Sequence, residues 1–151
     1  MDLYKDTLEL RKLSGVRPRV RPRVEQVMLA CAHLLATLTE DPSTGHGCFL
    51  LDKDNYIISG GFNGCLPGIT PPDPTVLGRR PQKYPWIRHA ERNGISKVDV
   101  RSRMKGGTLI ITGQPCPECA YEAIDAGFAR IIYGNTFSNM LCGSPDMGYR
   151  W

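Results

Sequence analysis

Pro115-Cys116-Pro117-Glu118-Cys119 stands between an apolar run at 108–112 and a helix-like run at 117–126. Two cysteines three residues apart at a helix start share one face, so both sulfurs can converge on a single ion. Pro117 suits the first helical turn, where its missing amide hydrogen costs nothing. The positive end of the helix lowers thiol pKa and prepares thiolate ligands. Taken alone, the pair is compatible with a metal site, a redox couple or two buried thiols.

The partner lies upstream, in His89-Ala90-Glu91 at the start of a helix expected over 89–98. One imidazole and two thiolates make three zinc ligands and leave a fourth position for water, the catalytic rather than the closed arrangement. Water on such an ion becomes a nucleophile near neutral pH. Glu91 falls about 200° around a helix from His89. On the first turn, a substrate over the helix end is nevertheless within reach of side chains from several directions. A carboxylate there that does not bind the metal is suited to moving protons. The order His-x-Glu followed by Pro-Cys-x-x-Cys is similar to the signature of zinc-dependent deaminases. Two alternatives stand beside it. A closed zinc knuckle would take Cys48, Cys65 or Cys142 as fourth ligand, and a thioredoxin-like pair would leave His-x-Glu without a role.

The 151 residues fit one domain with a real core, and 41% apolar with 23% charged residues is ordinary for a soluble globular chain. No apolar run reaches 18 residues, so no membrane partner is expected. The opening MDLYKDTLELRKL mixes acids and bases without an apolar stretch, which predicts no secretory signal and a cytoplasmic, reducing location. The six cysteines then read as thiols rather than a disulfide framework. Residues 1–24 carry seven Lys/Arg against three acids, the whole of the net +4. This divides the chain into a basic arm, 1–23, and a neutral domain, 24–151. The tandem RPRV at 17–24 is expected to be extended. It serves as a solvated or intersubunit arm, or as a clamp on nucleic acid, although no aromatics interleave for stacking.

Residues 24–39 place apolar side chains at 24, 27, 28, 31, 34, 35 and 38, the pattern of an amphipathic helix. His33 lies beside that stripe and reads as a surface or core residue. Strands at 46–52 and 56–59 flank the turn DKDN, and 62–83 forms a long Gly/Pro-rich loop of the kind that carries function. A strand at 108–112, the helix at 117–126 and a strand at 129–133 follow. The last 18 residues show no period. A hairpin followed by alternating helices and strands predicts a mixed sheet of about five strands with helices on its faces, an α/β class.

Four stretches carry a specific resemblance: 41–64 (DPSTGHGCFLLDKDNYIISGGFNG), 61–69 (GFNGCLPGI), 83–95 (KYPWIRHAERNGI) and 112–133 (TGQPCPECAYEAIDAGFARIIY). The chain is identified through them as similar to the deoxycytidylate (dCMP) deaminases of the cytidine-deaminase-like superfamily. That resemblance implies a three-layer α/β/α fold and hydrolytic deamination of dCMP, or a 5-substituted dCMP, to the deoxyuridine monophosphate and ammonia. It implies one Zn²⁺ per chain on His89, Cys116 and Cys119, with Glu91 as catalytic proton carrier. Substrate contacts are implied at Asn63 for the sugar, at the Ala90 backbone for the pyrimidine edge, and at Tyr84 and Pro115. A homo-oligomer and a small nucleotide ligand are implied as partners. The arginine often found before the D-P turn in the family is absent here, where Ala36-Thr-Leu-Thr-Glu40 stands instead. Arg79, Arg80 and Arg88 become the phosphate candidates. A deaminase acting on single strands or tRNA, and a non-catalytic zinc-stabilised binding module, are the rival functions.

Overall fold

The computed structural model describes residues 24–134 and 148–150. The expected basic arm and Cys142 lie outside the described residues. Five strands make one mixed sheet in the order β2-β1-β3-β4-β5. They are β1 (Gly47–Leu51), β2 (Ile57–Phe62), β3 (Thr108–Ile111), β4 (Arg130–Tyr133) and β5 (Gly148–Arg150). β1 runs antiparallel to both β2 and β3, β3 is parallel to β4, and β5 is antiparallel to β4. β5 falls in the C-terminal stretch whose sequence shows no period, because three residues are too few to display one.

Parallel neighbours need a crossover. Helix α3 (Pro117–Asp125) supplies it between β3 and β4, while α1 (Val24–Ala36) and α2 (Ala90–Ser96) precede β1 and β3. Strand alternation sorts the core into two layers. Cys48, Leu50, Leu109, Ile111 and Ile131 face α2 and α3, packing with Ala90, Ile95, Ala123 and Phe128. Leu51 and Ile110 face the other way and pack on Leu29 of α1. The result is the expected three-layer α/β/α arrangement, and no described helix is long and apolar enough to cross a membrane.

α1 departs from its apolar stripe in one respect. It buries Leu29, Ala32 and Ala36, whereas Val24, Val27, Leu34 and Leu38 stay exposed. Gly47 explains the choice: a Cβ there would collide with the Ala32 carbonyl and stand 2.8 Å from the Ala36 amide. The helix therefore presses on the sheet through its smallest residues, and close approach overrides side-chain hydrophobicity. α2 docks by the same device. A Cβ on Gly61 would lie 2.5 Å from the Ala90 carbonyl, and one on Gly94 would lie 2.8 Å from Leu50 Cδ1.

The long loop is pinned at several points. Asp73 caps the 3-10 turn Pro74–Gly78, accepting from the Thr75 amide. Gly64 and Arg88 form an isolated antiparallel bridge that closes the loop just before α2.

Candidate active site

Two helix starts meet above the sheet. His89 is the N-cap of α2 with extended backbone (φ −66°, ψ 152°), and Cys116 is the N-cap of α3 (φ −70°, ψ 161°). Pro117 occupies the first turn of α3, as its fixed φ favours. The two helices are tied together by Arg92 Nε of α2, which donates to Glu122 of α3 at 2.8 Å. Asn93 Nδ2 donates to the Phe62 carbonyl at 2.9 Å and Ser59 Oγ to the Gly94 carbonyl at 2.7 Å, which fixes α2 on β2.

In this frame His89 Nδ1 faces Cys119 Sγ at 3.4 Å and Cys116 Sγ at 3.6 Å. The three donor atoms lie within 4.8 Å of one another. Tetrahedral zinc, with its usual Zn–S and Zn–N lengths, sets N···S edges of roughly 3.6 Å. One imidazole nitrogen and two sulfurs at that spacing fit such an ion. Neither Cys48 nor Cys65 joins the group among the described residues; Cys48 Sγ instead donates to the Ala90 carbonyl at 3.2 Å. Within the described residues the closed four-protein-ligand arrangement is therefore not formed.

Cys119 is fully buried, and burial together with the neighbouring Glu91 carboxyl pushes its thiol pKa up. Glu91 is itself only 3% exposed, and burial holds its carboxyl above the usual range against the lowering effect of its own backbone amide, His89 and Cys119. Burial thus favours the neutral forms of both groups, and a divalent cation beside His89 is the kind of charge that would favour the Cys119 thiolate as a ligand.

Glu91, His89 and Cys116 line one cavity of about 400 Å³. Ala90, Asn63, Tyr84, Arg80 and Arg88 line it too, so it collects most of the residues singled out in the sequence. Asn63 is buried and already committed: its Oδ1 accepts from the His46 amide at 2.8 Å and its Nδ2 donates to the Thr44 carbonyl at 2.8 Å. One amide hydrogen and one lone pair are left over for a ligand. Tyr84 is exposed at the rim.

Two of the sequence candidates stand elsewhere. Pro115 is buried and outside the lining, where Gln114 takes the place expected for it. Arg79 is turned away to Asp73, with Nη2 at 2.7 Å from the carboxylate and 3.1 Å from Thr75 Oγ1, and is not part of the wall.

Asp41, Thr44, His46 and Lys83 also line the wall; they fall in the stretches that carry the resemblance, which assigns them no role of their own. Lys83 Nζ bonds both Asp41 oxygens, at 2.7 and 3.0 Å, and Ser43 Oγ at 2.6 Å. The Lys83 and Asp41 side chains are 4% and 3% exposed, so this is a buried ion pair between the loop and the 41–46 turn. Burial alone would raise the Asp41 carboxyl; the Lys83 ammonium and the Ser43 amide and hydroxyl hold it below the ordinary carboxylate value. His46 Nδ1 lies 3.2 Å from Thr112 Oγ1, and burial, reinforced by His89, pushes its imidazole down.

Comparison with known proteins places this architecture. The family model of the cytidine and deoxycytidylate deaminase zinc-binding region matches residues 22–135. The chain belongs to that family. Among curated relatives, the deoxycytidylate deaminase of Mus musculus is 31% identical over 112 residues, covering 72% of this chain and 62% of its own. That of Homo sapiens is 30% identical over 112 residues with the same coverage. This chain thus spans less than two thirds of the length of these relatives. In fold it is similar to the dCMP deaminase from the cyanophage S-TIM5 in complex with dCMP and dUMP. That match has TM-score 0.62 and 19% identity, covering 82% of this chain and 91% of the other.

Proposed function

We propose that this chain is a zinc-dependent hydrolase that removes the 4-amino group of a deoxycytidine monophosphate, releasing ammonia and a deoxyuridine monophosphate. The observation that carries the reading is Glu91, buried two residues after His89 of a His89/Cys116/Cys119 group of zinc geometry and lining the same cavity. The curated relatives named deoxycytidylate deaminase support the choice of ring.

His89, Cys116 and Cys119 would hold one zinc ion. When bound, zinc supplies Lewis acidity that lowers the pKa of water and furnishes a nucleophile near neutral pH. Glu91 accepts a proton from the attacking water and passes it to ring N3, which makes C4 electrophilic. It then carries the remaining hydroxyl proton to the departing amine, so water enters and ammonia leaves with no net change in protons. The raised proton affinity that burial gives Glu91 matches a group that must both take and return a proton. The Ala90 main chain and Glu91 read the pyrimidine edge. The unused amide hydrogen of Asn63 faces a sugar hydroxyl, and Tyr84 covers the ligand from the rim.

Ammonia release from dCMP, single-stranded DNA and tRNA, run in parallel at low and high salt, tests the reading. Turnover of the mononucleotide that is insensitive to salt is expected. Turnover confined to a polynucleotide and lost in high salt would assign the chain to strand deamination instead.

A further inference from the structure

The cavity wall contains four cations, and two of them are already spent. Lys83 gives its three donors to Asp41 and Ser43, and Arg92 is paired with Glu122. Arg80 and Arg88 carry no carboxylate partner among the described residues. Arg88 is the residue immediately before His89, and its main chain is bridged to Gly64. It therefore stands at the metal end, whereas the phosphate of a nucleotide is held away from the reacting C4 by the width of the sugar. Arg80 meets the wall elsewhere, on the 41–46 turn, where Nη2 donates to Thr44 Oγ1 at 3.2 Å. One contact to a neutral hydroxyl leaves most of a five-donor guanidinium open to an anion.

The placement of Arg80 is itself enforced. Lys83 sits three residues on, its amide donating to the Arg79 carbonyl at 2.9 Å while its ammonium is sealed against Asp41 and Ser43. The 41–46 turn is fixed from its other side by the two Asn63 amide bonds to Thr44 and His46. The loop and the turn are thus laced at two adjacent points, once by a buried ion pair and once by the Arg80–Thr44 contact. A buried ion pair is a costly way to gain stability but an effective way to fix register between two segments.

We propose that Arg80, seated on Thr44 and held in register by the buried Lys83–Asp41 pair, reads the phosphate of the nucleotide. Arg80 sets the preference for nucleotide over nucleoside, and Lys83 and Asp41 are positioning residues. This rests on the reading of the cavity as a nucleotide site. It also locates the phosphate function on the loop in a chain that has no arginine at 24–40, ahead of the D-P turn.

The test has two arms. Binding of dUMP and of deoxyuridine is measured by calorimetry on the zinc-loaded protein, and KM and kcat are measured for dCMP and deoxycytidine. Arg80→Gln is expected to weaken dUMP binding and raise the dCMP KM about 10- to 100-fold, the loss of one charge-assisted contact set. The dCMP kcat and both deoxycytidine parameters should stay within about two-fold of wild type. Lys83→Met should lower the dCMP-to-deoxycytidine ratio in the same direction, with Lys83→Arg recovering part of it, and Arg79→Gln should change nothing. An unchanged ratio in Arg80→Gln would overturn the proposal, as would a ratio that collapses in Arg88→Gln instead. Should no ammonia be released from any substrate while Arg80→Gln still erases a dUMP-over-deoxyuridine preference, the deaminase reading fails and the phosphate assignment stands.

Discussion

His89 Nδ1 and Cys119 Sγ lie 3.4 Å apart although 30 residues separate them in the chain. Neither side chain accounts for that proximity by itself. It follows from two helices that begin at the same level above one sheet, with α2 lowered onto β1 and β2 through Gly61 and Gly94. The His89/Cys116/Cys119 group is a consequence of how closely those backbones pack.

The first prediction concerns that group. Cys119→Ser and His89→Ala should each reduce bound zinc from one per chain to well below it, read by elemental analysis of dialysed protein. Loss of a ligand from a three-residue site leaves two donors, too few to retain the ion against a chelator. Retention of full zinc by both variants would move the metal elsewhere.

Glu91→Gln separates chemistry from architecture. It should keep its zinc and lower kcat by about 10²- to 10⁴-fold, the usual worth of a positioned proton carrier. The two rival functions part here: a zinc-stabilised binding module has no activity for this variant to lose.

Gly94→Ala should be destabilising by about 1–3 kcal/mol in urea melts, because its Cβ would meet Leu50 Cδ1 at 2.8 Å and Cys48 Sγ at 3.1 Å. Since α2 carries His89 and Glu91, zinc affinity should fall with stability. A neutral melt would mean that α2 is free to rise off the sheet.

The buried ion pair has a pH signature. Asp41 is held below its ordinary pKa in the folded state, so its contribution to stability is complete above the unfolded value, about 4. That contribution is lost as pH falls through the lower folded value. In Asp41→Asn the acid limb of stability against pH should be shallower than in wild type, and neutral-pH stability should fall by about 3–5 kcal/mol for an uncompensated Lys83. Parallel acid limbs would assign the proton uptake to other carboxylates.

Much of this was legible in the chain, and what was hidden has a common cause. Short-range signals carried the helix starts: His89 and Cys116 became N-caps, and Pro117 took the first turn of α3. The apolar run at 108–112 contains strand β3, whose Leu109 and Ile111 lie on one face and Ile110 on the other. The apolar stripe of α1 does not mark its buried face, because residue size, not hydrophobicity, decides which side can approach Gly47. The Lys83–Asp41 pair, whose partners are 42 positions apart in the chain, leaves no periodic trace at all. Asn63 lines the cavity, yet most of its amide serves the wall itself through His46 and Thr44, a role no local pattern signals. Arg79 and Arg80 are adjacent and alike in sequence, and only the fold distinguishes the one paired with Asp73 from the one facing the cavity.

The most direct test of the account is mass spectrometry of the product formed from dCMP in ¹⁸O-labelled water, with ammonia counted in the same reaction. Hydrolytic deamination predicts dUMP carrying one solvent oxygen, one ammonia for each dUMP, and near-complete loss of both in Glu91→Gln. Equal product from wild type and Glu91→Gln, or no labelled dUMP from protein with its zinc bound, would contradict it.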